Sequence, residues 1–150
     1  METLHFDIHI QAPVATVYQT MLSDAGFRHW TAAFNPTSHF KGTWEAGSKM
    51  LFLGEDEEQG VGGMVSRIRE VRPKEFISIE HLGIVQDGKE ITTGPEIEQW
   101  AGAREEYTFV SEGPHTTLLK VTMDANAEWK SYFETTWPKA LERLKDRCES

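Results

Sequence analysis

The chain has 150 residues, with 15 Lys and Arg against 24 Asp and Glu, which gives a formal net charge of -9. This length is typical of one domain with a sizeable core, so we expect a single domain over residues 1–150. The acidic balance argues against a nucleic-acid partner, because no surplus of basic side chains is available to neutralise phosphates.

Composition also predicts the location of the protein. The chain has one cysteine, Cys148, so no intramolecular disulfide can form. The first ten residues lack the charged and apolar regions of a signal peptide. No apolar run approaches the length that spans a bilayer, so we expect no membrane insertion. A cytoplasmic location is the prediction.

The N-terminal part of the chain predicts one strand and two short helices. Apolar and polar residues alternate strictly in "LHFDIHI", residues 4–10, which is typical of a half-buried strand. Pro13 is favourable at a helix start, and helical spacing of apolar residues follows it. A second short helix follows from about residue 23, with Ser23 or Asp24 as its N-cap.

The middle of the chain predicts six further strands. Glycines punctuate four of them, near 37–44, 48–54, 60–71 and 75–84. The alternation in 60–71 is imperfect, which indicates a β-bulge. "REEYTFVS" and "HTTLLKVTM" then predict a hairpin. Between these groups, residues 84–103 form a long irregular stretch, and Trp100 near its end indicates that the stretch folds back onto the domain.

A long helix is predicted from about Asn126, and it contains a proline. Apolar residues recur at spacings of three and four along "YFETTWPKALERLK". Pro138 removes one backbone hydrogen bond, so a single helix would bend there. The alternative is two helices that meet at Pro138. The order of elements predicts an α+β fold with a curved, seven-stranded antiparallel sheet and this helix packed in its concave face.

This order of elements resembles the SRPBCC or START-like superfamily, which has the helix-grip fold. It is most similar to the bacterial branch related to the activator of heat-shock protein 90 ATPase. The resemblance covers essentially the whole chain, in the stretches "APVATVYQTMLSDAGFRHW", "FKGTWEAGSKMLF", "SRIREVRPKEFISIEH", "EEYTFVSEGPHTTLLKV" and "YFETTWPKALERLK". It implies a cavity for apolar ligands between the sheet and the last helix, with the Pro138 bend shaping one mouth.

The aromatic residues supply most of the predicted lining of this cavity. Aromatic side chains with a few polar groups are typical of ligand pockets. For any one of these residues plain core packing is the better explanation, but the resemblance favours a pocket for the set as a whole. His81 shares a strand face with Ile77 and Ile79, and Tyr107 shares one with Glu105, so both could be polar groups of the lining. The ligand-binding candidates are Trp30, Phe34, Phe40, Trp44, Phe52, His81, Trp100, Tyr107, Phe109, Phe133 and Trp137.

The remaining chemical motifs are weak. His5, Asp7 and His9 share one strand face, but a solvated surface explains them better than a metal site. We therefore predict no metal, no cofactor and no catalytic residue.

Three functions remain open on these grounds. The first, which is the prediction, is binding of a small apolar molecule in the cavity; the other two are its alternatives. The second is an enzyme, cyclase-like or hydrolase-like, that uses the same cavity through His81 and Tyr107. The third is a chaperone-related protein-interaction module. A homodimer formed through a sheet edge or an exposed helix is also compatible with the sequence.

Overall fold

The computed structural model describes residues 1–58 and 60–150. The elements are β1 (Glu2–Ile10), α1 (Val14–Leu22), α2 (Asp24–Thr31), β2 (His39–Gly42), β3 (Lys49–Asp56), β4 (Gly60–Arg72), β5 (Phe76–Gln86), β6 (Lys89–Ile91), α3 (Pro95–Glu98), β7 (Arg104–Ser111), β8 (Thr117–Ala125) and α4 (Ala127–Glu149). None of the helices formed by these residues combines the length and apolar character needed to cross a bilayer.

The strands form one antiparallel sheet in the order β1-β8-β7-β5-β4-β3-β2. The seven strands on this path are the seven that the sequence predicts, so the α+β helix-grip fold is confirmed. An eighth strand, β6, pairs with β5 away from the path. It lies in the stretch 84–103, which the sequence predicts to be irregular, and so does α3. These two elements have only three and four residues, too few for a periodic pattern.

The two short helices begin where the sequence predicts. Pro13 is the residue before α1, and the Ser23 side chain caps α2 by accepting a hydrogen bond from the backbone N–H of Gly26 at 3.2 Å. Gly26 also lets the two helices meet closely. A Cβ at this position would lie 1.7 Å from the carbonyl oxygen of Thr20 in α1.

Strand β4 contains the predicted bulge. The register between β4 and β5 shifts between Val65 and Ser66, and again between Ile68 and Glu70. The first shift brings Ser66 opposite His81 of β5. A bulge redirects side chains locally, so this irregularity fixes which β4 residue reaches the interior beside His81.

The C-terminal helix α4 is one continuous helix through Pro138, so the alternative of two helices meeting there is wrong. The bend expected at the proline stays a prediction. The helix packs against β1, α1 and α2. Its apolar stripe is covered unevenly, since Leu141 and Leu144 are buried whereas Phe133 is half-buried and Trp129 is 52% exposed. The C-terminal half of α4 therefore closes the core, and its N-terminal half does not.

Candidate functional site

A pocket of about 850 Å³ lies between the sheet, α2, the segment after β6 and the N-terminal half of α4. We call it the helix–sheet pocket. Its lining residues are Met1, Phe27, Trp30, Thr31, Phe34, Ser38, Phe52, Met64, His81, Ile84, Glu96, Gln99, Trp100, Ala103, Glu105, Tyr107, Met123, Asp124, Ala125, Asn126, Glu128, Trp129, Phe133 and Trp137.

The structure brings eight of the eleven candidates from the sequence together in this lining. Seven of them are Phe, Tyr or Trp. Five of these rings belong to α2, to α4 or to the segments that follow α2 and α3, whereas Phe52 belongs to β3 and Tyr107 to β7. The rings contact one another; for example, the Trp137 ring centroid lies 5.6 Å from that of Trp30 and 5.2 Å from that of Phe34. The eight are Trp30, Phe34, Phe52, His81, Trp100, Tyr107, Phe133 and Trp137.

Three candidates, Phe40, Trp44 and Phe109, lie outside this lining and pack in the core beside it. The Trp44 indole N–H donates to the carbonyl oxygen of Leu22 at 2.9 Å, which satisfies an acceptor left free at the end of α1. Phe40 packs edge-on against Phe27 at 5.0 Å between ring centroids. Phe109 packs edge-on against Tyr18 of α1 at 5.2 Å. Contact with α1 and α2 therefore removes these three side chains from the pocket.

Trp100 lines the pocket although the stretch around it carries little regular structure. The backbone of this stretch is anchored to β5, because His81 N–H donates to Ala103 at 2.8 Å and Gly102 N–H donates to the His81 carbonyl at 2.9 Å. The expectation that Trp100 folds back onto the domain is confirmed.

Four polar side chains, three of them buried and Glu105 partly buried, form a hydrogen-bonded cluster at the wall of the pocket. His81 Nδ1 lies 2.7 Å from Ser66 Oγ, and its Nε2 lies 3.3 Å from Glu105 Oε1. The Tyr107 hydroxyl donates to the other oxygen of Glu105. An ionised carboxylate can only accept, so the hydrogen between His81 and Glu105 sits on Nε2. In neutral His81, Nδ1 then accepts from the Ser66 hydroxyl.

The environment of this cluster changes the acidity of the phenol. Burial, together with the neighbouring Glu105 carboxylate, raises the pKa of Tyr107 well above its ordinary value. Tyr107 therefore stays a hydrogen-bond donor at neutral pH, and Glu105 keeps one partner on each of its two oxygens.

Sequence reasoning did not single out Glu105, which the structure adds to the site. Its side chain is only 17% exposed and lines the pocket beside Tyr107. The alternation of β7 puts both residues on one face, and this was the available signal. The pattern could not decide whether that face is covered at residue 105, because the carboxylate lies near the end of the strand.

Metal ligation has little support in the part of the chain that the structure describes. No group of three or more His, Cys, Asp or Glu there is arranged to hold an ion. The His5, Asp7 and His9 side of β1 is exposed, and His9 Nδ1 pairs with Glu112 at 2.8 Å. Burial raises the pKa of the Cys148 thiol, which disfavours a reactive thiolate.

Residues 11–149 match the family described as Activator of Hsp90 ATPase homolog 1-like protein. The chain belongs to this family. The resemblance to the SRPBCC superfamily and its branch related to the heat-shock protein 90 activator is thereby confirmed. No curated protein shows a significant match to the chain.

Solved structures of low sequence identity share the fold of the chain. The Aha1 dimer of Colwellia psychrerythraea has 20% identity and a TM-score of 0.72, with 99% of this chain and 97% of that chain covered. A protein of Chromobacterium violaceum has 17% identity and a TM-score of 0.68, with 100% and 99% covered. The di-domain ARO/CYC of the steffimycin biosynthetic pathway has 15% identity and a TM-score of 0.65, with 97% and 45% covered. At these identities the likeness concerns the helix-grip fold of the family.

Proposed function

We propose that the protein binds a small apolar molecule in the helix–sheet pocket. The observation that carries the proposal is the combination of size and lining. A volume of about 850 Å³ falls within the range of roughly 300–1,000 Å³ typical of small-molecule sites. Nine of the 24 lining residues are Phe, Tyr or Trp, and nine others carry polar or charged side chains. This mixture suits a ligand held by apolar contact and oriented by a few hydrogen bonds.

The uneven burial of α4 supports the same proposal. Trp129 and Phe133 line the pocket from the half of the helix that the core does not cover. An apolar side chain left exposed forgoes roughly 1.5–3 kcal/mol of burial free energy, and a ligand in the pocket would recover part of it. One similar structure is the di-domain ARO/CYC of the steffimycin biosynthetic pathway. A biosynthetic role in that protein favours a small molecule as the ligand here.

A thermal-shift screen against apolar metabolites, including lipids, flavonoids, polyketides and sterols, tests the proposal. A ligand present at 100 times its Kd stabilises the folded state by about 2.7 kcal/mol, so we expect the best hits to raise the Tm by about 5–10 °C. Tryptophan fluorescence gives a second signal, because Trp30, Trp100 and Trp137 line the pocket. A screen in which no compound moves either signal would contradict the proposal.

A matched pair of variants locates the binding. Ala103 lines the pocket and is buried, so Ala103→Phe places a ring inside it. Val110 is an exposed residue of β7 and does not belong to the lining, so Val110→Phe adds the same ring outside the pocket. The Tm gain with a hit should disappear in Ala103→Phe and persist in Val110→Phe. Loss in both variants, or in neither, would place the ligand elsewhere.

An enzyme that uses the same pocket is the second candidate. The observation that favours it is the Glu105 carboxylate at the pocket wall, which accepts from Tyr107 and lies 3.3 Å from His81 Nε2. A carboxylate beside a histidine is able to accept and return a proton on a bound molecule. Mass spectrometry of the screen hits after incubation with protein distinguishes the two candidates. Turnover that His81→Ala removes would favour the enzyme, whereas unchanged hits favour the binder.

Assembly as a homodimer is the last part of the proposal. The support comes from the similar Aha1 of Colwellia psychrerythraea, whose solution structure is that of a dimer. Sedimentation velocity over a hundredfold range of concentration tests it, and a sedimentation coefficient that stays at the value of a 17.1 kDa monomer would contradict it. The cytoplasmic location stays a prediction that cell fractionation can check.

A further inference from the structure

The helix–sheet pocket carries negative charge that its own lining does not balance. Four carboxylates line it, those of Glu96, Glu105, Asp124 and Glu128, and none of the described lining residues is Lys or Arg. Among the described residues, no ion pair joins one of the four to a Lys or an Arg. Met1 adds only an α-amino group, on a residue that is 61% exposed. A cleft with charge of one sign and apolar walls concentrates small ions of the opposite sign, so this lining favours a cation.

Glu105 is the lining carboxylate best placed to hold that cation. Its side chain keeps 17% of its surface exposed, whereas Glu96 and Glu128 are exposed residues that water solvates. The Tyr107 hydroxyl donates to one Glu105 oxygen, and His81 Nε2 lies 3.3 Å from the other. Both partners are uncharged when His81 is neutral, so they fix the carboxylate in place without neutralising it. A carboxylate offers about four acceptor positions, and those that remain on Glu105 are available to a charged donor in the pocket.

Two half-buried aromatic residues of the lining lie near His81, the neighbour of Glu105. The Phe52 ring centroid lies 6.2 Å from that of His81. Trp100 comes shortly before Gly102, whose backbone N–H donates to the His81 carbonyl oxygen at 2.9 Å. The face of an aromatic ring attracts an organic cation, and the indole of Trp does so most strongly. Accessible rings and an uncompensated carboxylate therefore occur in the same part of the pocket.

An organic cation fits this pocket better than a metal ion. No group of three or more His, Cys, Asp or Glu in the part of the chain that the structure describes is arranged to hold a metal. The pocket has a volume of about 850 Å³ and nine aromatic lining residues, which is apolar surface that a bare ion cannot contact. A molecule with a hydrocarbon body uses that surface, and its charged end uses the carboxylate.

We infer that the ligand of this pocket is an apolar molecule with one protonated amino group, which pairs with Glu105. The ammonium group donates to the acceptor positions that Tyr107 and His81 leave free, and the hydrocarbon body packs against the aromatic lining. The other three carboxylates add to the attraction from a greater distance. An anion such as a fatty acid would instead bring its charge among like charges. This inference rests on the proposed function, since it names the ligand class of the same pocket.

Four probes with one ring system test the inference by equilibrium dialysis with the full chain. They are 2-(aminomethyl)naphthalene, 2-naphthalenemethanol, 2-methylnaphthalene and 2-naphthoate, which offer a cation, a neutral hydroxyl, no polar atom and an anion respectively. We expect the amine to bind about tenfold more tightly than the alcohol, because it adds Coulomb attraction to the hydrogen bond, and 2-naphthoate to bind most weakly. The buffer contains about 0.15 M salt, where charges more than roughly 8 Å away are screened, so the order reports the pocket rather than the acidic surface.

A matched pair of variants connects the preference to Glu105. Glu105→Gln removes the charge but keeps the length of the side chain, so affinity for the amine should fall about tenfold while affinity for the alcohol stays within about twofold. The control is Glu142→Gln, which removes the same charge from an exposed residue of α4 outside the lining and should leave both affinities unchanged. Ala103→Phe, which fills the pocket, should weaken binding of the amine and of the alcohol alike.

The outcomes distinguish failure of the ligand class from failure of the pocket. If none of the four probes binds, the proposed function fails and this inference fails with it. If the alcohol binds as tightly as the amine, the pocket stands and the ammonium class is wrong. Equal loss of amine affinity in Glu105→Gln and Glu142→Gln would overturn the pairing with Glu105. Should Glu105→Gln fail to fold, the order of the four probes on the unmodified protein still decides the ammonium class.

Discussion

Ser66 and His81 lie opposite each other on β4 and β5, and Ser66 Oγ is 2.7 Å from His81 Nδ1. The contact exists because a register shift between Val65 and Ser66 brings the hydroxyl to this position. Ser66 is fully buried and does not line the pocket, whereas His81 does. Ser66 therefore holds the imidazole from behind and leaves its Nε2 edge toward Glu105.

Removing the Ser66 hydroxyl should lower the free energy of unfolding. In Ser66→Ala the buried His81 Nδ1 loses its partner, and an unsatisfied buried group of this kind costs about 1–3 kcal/mol. Urea denaturation should report this loss in the free energy of unfolding. Ser111→Ala is the control, because Ser111 is exposed and its hydroxyl makes a long contact of 3.3 Å to Gly113. Equal effects of the two substitutions would show that the Ser66 contact contributes nothing.

Tyr107 should make stability depend on alkaline pH. Its pKa is raised in the folded protein by burial and by Glu105. The contribution of the phenol to stability is therefore fully present below its unfolded-state pKa of about 10 and is lost as the pH rises through the folded value. Relative to Tyr107→Phe, the unmodified protein should lose about 1.4 kcal/mol of unfolding free energy for each pH unit between the unfolded-state pKa of about 10 and the folded-state pKa.

Denaturation curves of both proteins from pH 8 to pH 11 measure this difference. Phe109→Leu serves as the control, since Phe109 lies on the same face of β7 but carries no titrating group. Its destabilisation should be the same at each pH. A constant difference between the unmodified protein and Tyr107→Phe over this range would contradict the predicted role of burial at Tyr107.

The sequence predicts the fold well because the long elements carry strong periodic signals. Alternation in residues 4–10 and helical spacing after Asn126 each fix which side chains point inward. The elements in 84–103 escape detection, since β6 and α3 are too short to show a period. Local pattern also identifies the bulge in β4, although it cannot tell which residue the bulge delivers to the interior.

The sequence predicts the lining of the pocket less completely than the fold, because the helices decide which aromatic side chains are covered. The sequence predicts Trp44 and Phe109 as lining residues of the cavity, whereas both pack in the core. What covers them is decided by the position of α1, which accepts the Trp44 N–H and contacts Phe109 through Tyr18. A strand pattern contains no information on where helices from another part of the chain lie, so core and pocket residues look alike in the sequence.

The two halves of α4 should respond differently to truncation. Leu144 is fully buried, so Leu144→Ala removes core packing and should cost about 2–5 kcal/mol of unfolding free energy. Trp129 is 52% exposed, so Trp129→Ala should change stability by less than about 0.5 kcal/mol. Because Trp129 lines the pocket, the same substitution should weaken binding of a hit from the thermal-shift screen.

Urea denaturation and equilibrium dialysis together check this division of α4. The two measurements should rank the variants in opposite order, provided that Leu144→Ala is assayed where it is still folded. A large loss of stability in Trp129→Ala would mean that the N-terminal half of the helix belongs to the core. Unchanged affinity of Trp129→Ala for that hit would argue against a ligand beside Trp129.

Gly26→Ala should destabilise the protein, although alanine is the better helix former. In an exposed helix interior the change from Gly to Ala gains about 1 kcal/mol. At Gly26, however, the new Cβ would lie 1.7 Å from the Thr20 carbonyl oxygen and 2.9 Å from Ser23 Oγ. The backbone of α1 or α2 has to shift to relieve this clash, and overpacking of this kind costs roughly 1–3 kcal/mol. The control is Gly62→Ala in β4, where the nearest atom is the Val85 carbonyl oxygen at an ordinary 3.5 Å. Thermal denaturation should show a lower Tm for Gly26→Ala and an unchanged Tm for Gly62→Ala. A raised Tm for Gly26→Ala would show that the two helices separate without cost.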